Sequence, residues 1–191
     1  DELVINGAEC EPFITCDDML MRERPLEILT GIAIMQRLLD GAGCLIGIED
    51  NKPEAIAAMS EAIAAQGLEN VEVVTIPTRY PSGGERQLIQ VLTGREVPSG
   101  EIPARIGIVC HNVGTAAAVA DAVLRGRPLI SRYITLTGEG LADPCNLEAL
   151  IGTSCSELIG QAGGYTGKAN RLIMGGPMMG FTLHSDNLPI V

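Results

Sequence analysis

The chain opens on a short apolar run, Leu3-Val4-Ile5, of the kind a fully buried strand requires. Ile28, Leu29, Ile32, Met35, Leu38 and Leu39 then recur at helical spacing, and Gly41 stops that helix. Cys44-Leu45-Ile46-Gly47-Ile48 is again strand-like. Asn51 is expected to cap the next helix, with Pro53 in its first turn and Ile56, Met59 and Ile63 on one face. Gly67 ends it, and Val71, Val73, Val74 and Ile76 predict a third strand. The turn Tyr80–Gly84 leads into a helix carrying Leu88, Ile89 and Leu92, closed by Gly94. Ile106, Ile108 and Val109 predict a fourth strand, followed by an Ala-rich helix from about Thr115 to Leu124. Strands alternating with helices of this length imply an α/β domain with a Rossmann-like parallel sheet covered by helices.

After Arg127-Pro128 the pattern changes. Tyr133–Thr137 alternates as a half-exposed strand does, and Asn146–Ile151 is placed to pair with it across the 138–145 turn. Ser154-x-x-Glu157 opens a short helix, and Arg171–Met174 is a last strand. Two strands, a helix and a returning strand make a small α+β unit of β-grasp type. The expected organisation is therefore an α/β domain over 1–128, a β-grasp domain over 129–182 and a tail over 183–191.

Composition narrows the function. Thirteen Lys and Arg against 24 Asp and Glu give a formal net charge of −11, which argues against a nucleic-acid partner. Hydrophobic residues at 46% supply a full core, while aromatics at 3% leave little for a base-stacking surface. No apolar stretch is long enough to span a bilayer, so no direct membrane insertion is expected. The six cysteines form no C-x-x-C pair, and with two histidines no metal site is expected. Buried, reduced thiols are the expected state of a chain with a core of this size.

Three strand-to-helix loops carry polar side chains. Asn6-Gly7-Ala8-Glu9-Cys10-Glu11-Pro12 follows the first strand, and in an open α/β sheet such loops bind ligands. Asn6 offers donors and an acceptor to a ring amide, and the glutamates accept from hydroxyls, although a plain polar turn has the same composition. Tyr80-Pro81-Ser82-Gly83-Gly84-Glu85 places two glycines before a helix, which suits close backbone approach to a flat ring or a phosphate and equally suits an ordinary tight turn. Cys110-His111-Asn112-Val113-Gly114-Thr115 is the third, with His111 fitting hydrogen-bonded structure better than a catalytic base. Their convergence on one sheet edge points to a nucleotide-like or flavin-like ligand held by backbone and amides. No Ser/His/Asp or Cys/His set, P-loop or G-x-G-x-x-G is present, so no catalytic residue is assigned; any redox chemistry belongs to a cofactor.

Six ordered motifs resemble the RnfC (RsxC) component of the Rnf (Rsx) electron transport complex over essentially the whole chain. They are 5–12, 46–53, 80–84, 112–115, 135–139 and 174–180, the last reading Met174-Gly175-Gly176-Pro177-Met178-Met179-Gly180. The chain is more distantly similar to the flavoprotein subunit of respiratory complex I, in which a soluble-ligand-binding β-grasp domain follows an FMN domain. The resemblance implies an NADH-oxidising flavin subunit of a complex that couples electron transfer between NADH and ferredoxin to ion translocation. It implies contacts to FMN from Asn6, Glu9, Gly83, Gly84, Asn112 and Thr115, and contacts to NADH from Glu11, Tyr80 and Glu85. It departs from the complex I pattern at Ala8, Gly84 and Gly114, where that relative carries acids, and the nicotinamide contacts are those most affected. It also implies 4Fe–4S clusters in the parent protein with no ligands in this stretch, and partner subunits at the cytoplasmic face of the bacterial inner membrane. Because the family's glycine-rich flavin loop is expected before Asp1 and its cluster cysteines after Val191, this stretch alone is expected to be an inactive central fragment that binds FMN weakly. Two alternatives remain: a non-catalytic scaffold or ligand-binding module, and a related corrinoid-reducing flavoprotein.

Overall fold

The computed structural model describes residues 1–191. The chain divides into two compact units, Asp1–Cys10 with Asp17–Pro128, and Glu11–Cys16 with Leu129–Val191.

The first unit is built on four parallel strands, β1 (Glu2–Gly7), β2 (Gly43–Glu49), β3 (Val71–Ile76) and β4 (Ile108–Asn112), in the order β3-β2-β1-β4. Leu3, Val4, Ile5, Ile46 and Ile48 are fully buried, the continuous apolar run that a sheet covered on both faces requires. Val4 points to one face, where it joins Leu88 and Ile89 of α4 (Glu85–Thr93), together with Val97 and Ile108. On the other face Gly7 lies against Met21 of α1 (Cys16–Glu23). Helix α2 (Pro25–Leu38) packs against both α3 (Pro53–Gln66) and α5 (Val113–Arg125). Gly31 of α2 makes the closest of these approaches, since a Cβ there would lie 1.8 Å from the Ala116 carbonyl oxygen of α5.

Two helix starts differ from the sequence expectation. Lys52, not Asn51, is the N-cap residue of α3 and no side chain caps it, because Pro53 already occupies the first turn and Asn51 belongs to the preceding turn. Helix α5 begins at Val113, two residues earlier than expected, because Asn112 supplies a side-chain cap to the Gly114 amide. Helix α1 has no counterpart in the sequence reading.

The second unit is small and β-rich. Strands β5 (Ser131–Leu136) and β6 (Cys145–Leu150) pair antiparallel, α6 (Cys155–Gln161) follows, and β7 (Leu172–Met174) pairs antiparallel with β8 (Phe181–Leu183). Its core joins Ala149, Leu158, Ile159, Leu183 and Ile190. Ser154 and Glu157 form the expected capping box at the start of α6. Thr15 and Asn146 are tied by the Asn146 amide, which donates to the Thr15 hydroxyl at 2.9 Å. No helix of the structure is long and apolar enough to cross a membrane.

Candidate functional site

Because all four strands of the first unit are parallel, their carboxyl ends lie at one edge. The chain proceeds from β1 to β2 to β3 on one side and returns to place β4 on the other. The order therefore reverses beside β1, which is where an open α/β sheet leaves a crevice for a ligand.

Register decides which side chains meet there. Asn6 of β1 is paired with Asn112 of β4 on one side and with Gly47 of β2 on the other. Side chains alternate along a strand, so Asn6, Asn112 and Glu49 all project to the face that carries α4. Asn6 uses both ends of its amide: Nδ2 donates to the Gly83 carbonyl at 2.8 Å, and Oδ1 accepts from the Ala8 amide at 3.0 Å. Gly83 is held so close that a Cβ there would stand 2.8 Å from the Ala8 carbonyl oxygen. That approach is what a glycine at 83 permits.

A second chain of contacts crosses the same edge. Lys52, just past β2, places Nζ 3.2 Å from Glu9 Oε2. Glu9, in the loop after β1, accepts from the Asp17 and Asp18 amides at 2.6 and 3.2 Å, capping α1. Asp17 accepts from Asn112 Nδ2 at 2.6 Å, and Asn112 Oδ1 accepts from the Gly114 amide at 2.7 Å. The ends of β2, β1 and β4 and the start of α1 are thereby joined by side chains. Glu9 is 3% exposed and Lys52 13%, so this ion pair is shielded from water.

Burial pushes the Asp17 carboxyl up to about 6, against the Asn112 hydrogen bond, with Glu9 raising it further and Lys52 opposing. A carboxyl whose native value lies above its unfolded one favours the folded state while both forms are protonated. That contribution is lost as pH rises from about 4 to about 6. The wild-type chain is therefore expected to lose stability across that interval, and Asp17→Asn, which cannot ionise there, to lose less. Urea denaturation at several pH values checks this; parallel pH curves for the two proteins would refute it.

Among the sequence candidates, Asn6 and Gly83 are brought into direct contact, and Glu9 and Asn112 are linked through Asp17. Gly84 is the N-cap of α4, with no side chain capping that helix. Tyr80, Glu85 and Thr115 stand exposed around this group and make no side-chain hydrogen bond to it. Glu85 lies near enough to Cys110 to add to the effect of burial, which pushes that thiol up to about 11. Glu11 belongs to the second unit, where Oε2 accepts from the Met178 amide at 2.9 Å and its carboxyl lies against Gly176. Asp17, Lys52, Glu49 and Ser82 escaped the sequence reading. Acids ahead of Leu20-Met21 were the available signal for α1, and a lysine directly after a strand end was that for Lys52.

The comparisons with known proteins agree with this edge. Residues 1–121 match the family model described as the Nuo51 FMN-binding domain, and residues 133–182 match the SLBB domain. The chain belongs to the Nuo51 FMN-binding domain family, joined here to an SLBB domain. It is a homologue of the C component of the ion-translocating oxidoreductase complex of Pseudomonas aeruginosa, 58% identical over 189 residues covering 99% of this chain and 24% of the relative. The corresponding component from Rhodobacter capsulatus is 48% identical, with 99% of this chain and 36% of the relative covered. The chain thus spans about a quarter to a third of the length of these relatives. An NAD+-reducing NiFe hydrogenase shares the fold, with a TM-score of 0.79 at 22% identity, covering all of this chain and 38% of that one.

Proposed function

We propose that this chain is the nucleotide-handling core of an NADH-oxidising flavin subunit, part of a membrane-bound complex that couples electron transfer between NADH and ferredoxin to ion translocation. The observation that carries the proposal is the meeting of Asn6, Gly83 and Asn112 at the β1/β4 reversal of a sheet in the Nuo51 FMN-binding family. The relatives named for an ion-translocating oxidoreductase complex support the larger assembly. The chain takes a peripheral position in that assembly, at the cytoplasmic face of the bacterial inner membrane, beside other subunits. Its 4Fe–4S clusters are held by parts of the parent polypeptide outside these residues.

The donors present fit part of FMN. The amides of the first turn of α4, which no side chain caps, and the exposed Thr115 hydroxyl are available to ring and ribityl oxygens. Glu9, Asp17 and Glu49 suit hydroxyl donors. They do not suit a phosphate, for which Lys52 is the cation at this edge and is already paired with Glu9. When bound, FMN supplies the capacity to accept a hydride from NADH. Asn6 and Glu9 shape the floor of its site, Gly83 and Gly84 keep side chains off it, and Asn112 and Thr115 form its β4 side. Asn112 acts largely by orientation, since both ends of its amide are engaged. Tyr80 and Glu85 face the nicotinamide nucleotide, and Glu11 of the second unit is assigned to the same ligand.

The test uses the full-length protein. It is expected to contain FMN stoichiometrically, with flavin absorbance bleached by NADH under anaerobic conditions. Asn112→Ala is expected to weaken FMN binding about tenfold, equivalent to about 1.4 kcal/mol. A full-length protein without flavin, or an Asn112→Ala variant with undiminished affinity, would defeat the proposal.

A further inference from the structure

Glu49 ends β2 at the candidate site with 0% of its surface exposed, and with Gln36 it is one of two buried polar side chains. A buried carboxyl needs partners, yet this one has few. Ser82 Oγ donates to Oε1 at 3.3 Å, and Oε2 meets no donor. Burial raises its carboxyl above the usual carboxylate range, with Glu9 and Asp50 adding to the effect and Ser82 and Lys52 opposing it.

The loop that Ser82 belongs to is otherwise held by its own turns and by β1. The Ser82 amide donates to the Arg79 carbonyl at 2.7 Å and the Gly84 amide to the Pro81 carbonyl at 2.8 Å. Asn6 holds the Gly83 carbonyl from the end of β1. Glu49 supplies the matching hold from the end of β2, the adjacent strand. The two side chains grip consecutive residues, Ser82 and Gly83, and Gly83 has no room to slide because Ala8 lies directly beneath it. One of these holds comes from a residue expected at the site. The other comes from a fully buried acid that makes no other hydrogen bond.

We propose that Glu49 is a positioning residue: acting through Ser82, it fixes the Ser82–Gly84 loop as one wall of the nucleotide site. Its placement at a wall of that site rests on the function proposed above, whereas the anchoring itself does not. A neutral amide at position 49 offers the same acceptor to Ser82. Glu49→Gln is therefore expected to hold the loop, while Glu49→Ala and Ser82→Ala release it.

Amide hydrogen exchange and steady-state kinetics on the full-length protein read this directly. In Glu49→Ala and Ser82→Ala the Ser82 and Gly84 amides are expected to exchange at least about tenfold faster, with the strand amides of β1 and β2 unchanged. FMN Kd and the KM for NADH, with ferricyanide as acceptor, are expected to rise about tenfold, while kcat per bound flavin stays within about twofold. Glu49→Gln is expected to restore all of these values, and the double variant Glu49→Ala/Ser82→Ala to add nothing to either single change. If Glu49→Ala does not accumulate, Ser82→Ala decides alone. Unchanged loop exchange in Ser82→Ala overturns the anchoring, as does strict additivity of the two changes. Faster exchange with unchanged FMN Kd and KM overturns the role at the site. Faster exchange in a full-length protein that holds no flavin supports the anchoring and removes the function proposed above.

Discussion

Replacing Gly31 by alanine is expected to cost the chain about 3 kcal/mol of stability, and Gly31→Val to abolish cooperative folding altogether. On helix propensity alone the alanine change should stabilise, by about 1 kcal/mol, because glycine in a helix interior is entropically expensive. Packing reverses the sign. A Cβ at position 31 would lie 1.8 Å from the Ala116 carbonyl oxygen and 2.5 Å from its carbonyl carbon. Both atoms are backbone of α5, so no side chain can rotate away, and the two helices would have to separate. Overpacking costs about 1–3 kcal/mol where neighbours can give, and here they cannot. Separation would also open the buried seam of Ala116, Ala117 and Ala120. Against a typical total of about 5–15 kcal/mol, the alanine loss is large. Urea denaturation followed by far-UV circular dichroism measures it; a Gly31→Ala midpoint equal to or above wild type would refute the argument.

The second large effect is expected at Glu9. Glu9→Ala removes the partner of Lys52, which is 13% exposed, and the acceptor for two amides at the start of α1. Breaking a buried pair from one side costs about 3–5 kcal/mol, because a charge is left without compensation. The lost helix cap adds about 1 kcal/mol. Lys52→Met should cost less, about 1 kcal/mol, since the Glu9 carboxylate keeps both amide donors. The asymmetry is the diagnostic point: denaturation of the two variants should rank Glu9→Ala well below Lys52→Met. Equal losses would mean that the ion pair, and not the cap, sets the energetics. In the full-length protein Glu9→Ala should also lower FMN content, because α1 carries Asp17 and Asp17 orients the Asn112 amide.

Much of the site was legible loop by loop. Asn6, Gly83 and Asn112 stood out because polar or glycine residues directly after an apolar strand mark a loop at a sheet's carboxyl edge. The function of each side chain was less legible. Asn112 was expected to address a ligand, and the structure shows its amide divided between a helix cap and Asp17. Glu11 shares a motif with Glu9, yet its carboxyl meets Met178 in the second unit. Helix α1 was missed because its apolar face is short, with Leu20 and Met21 as its buried residues. Strand β8 is only three residues long, too short to show a period.

What the sequence determined by itself is the succession of strands and helices, since burial imposes a period of about 2 or 3.6 on neighbouring residues. The alternation of elements then requires a parallel sheet, and the change of pattern after Pro128 marks a different kind of fold. Only the tertiary structure decided which polar groups meet. Lys52 reaches Glu9 across 43 residues and Asn112 reaches Asp17 across 95. Such pairings are set by strand order and register, which no local period records. Glu49 shows the difference most directly. Its place at the end of an apolar strand is written in the sequence, but its complete burial against Ser82 follows only from how the loop after β3 folds back over the end of β2.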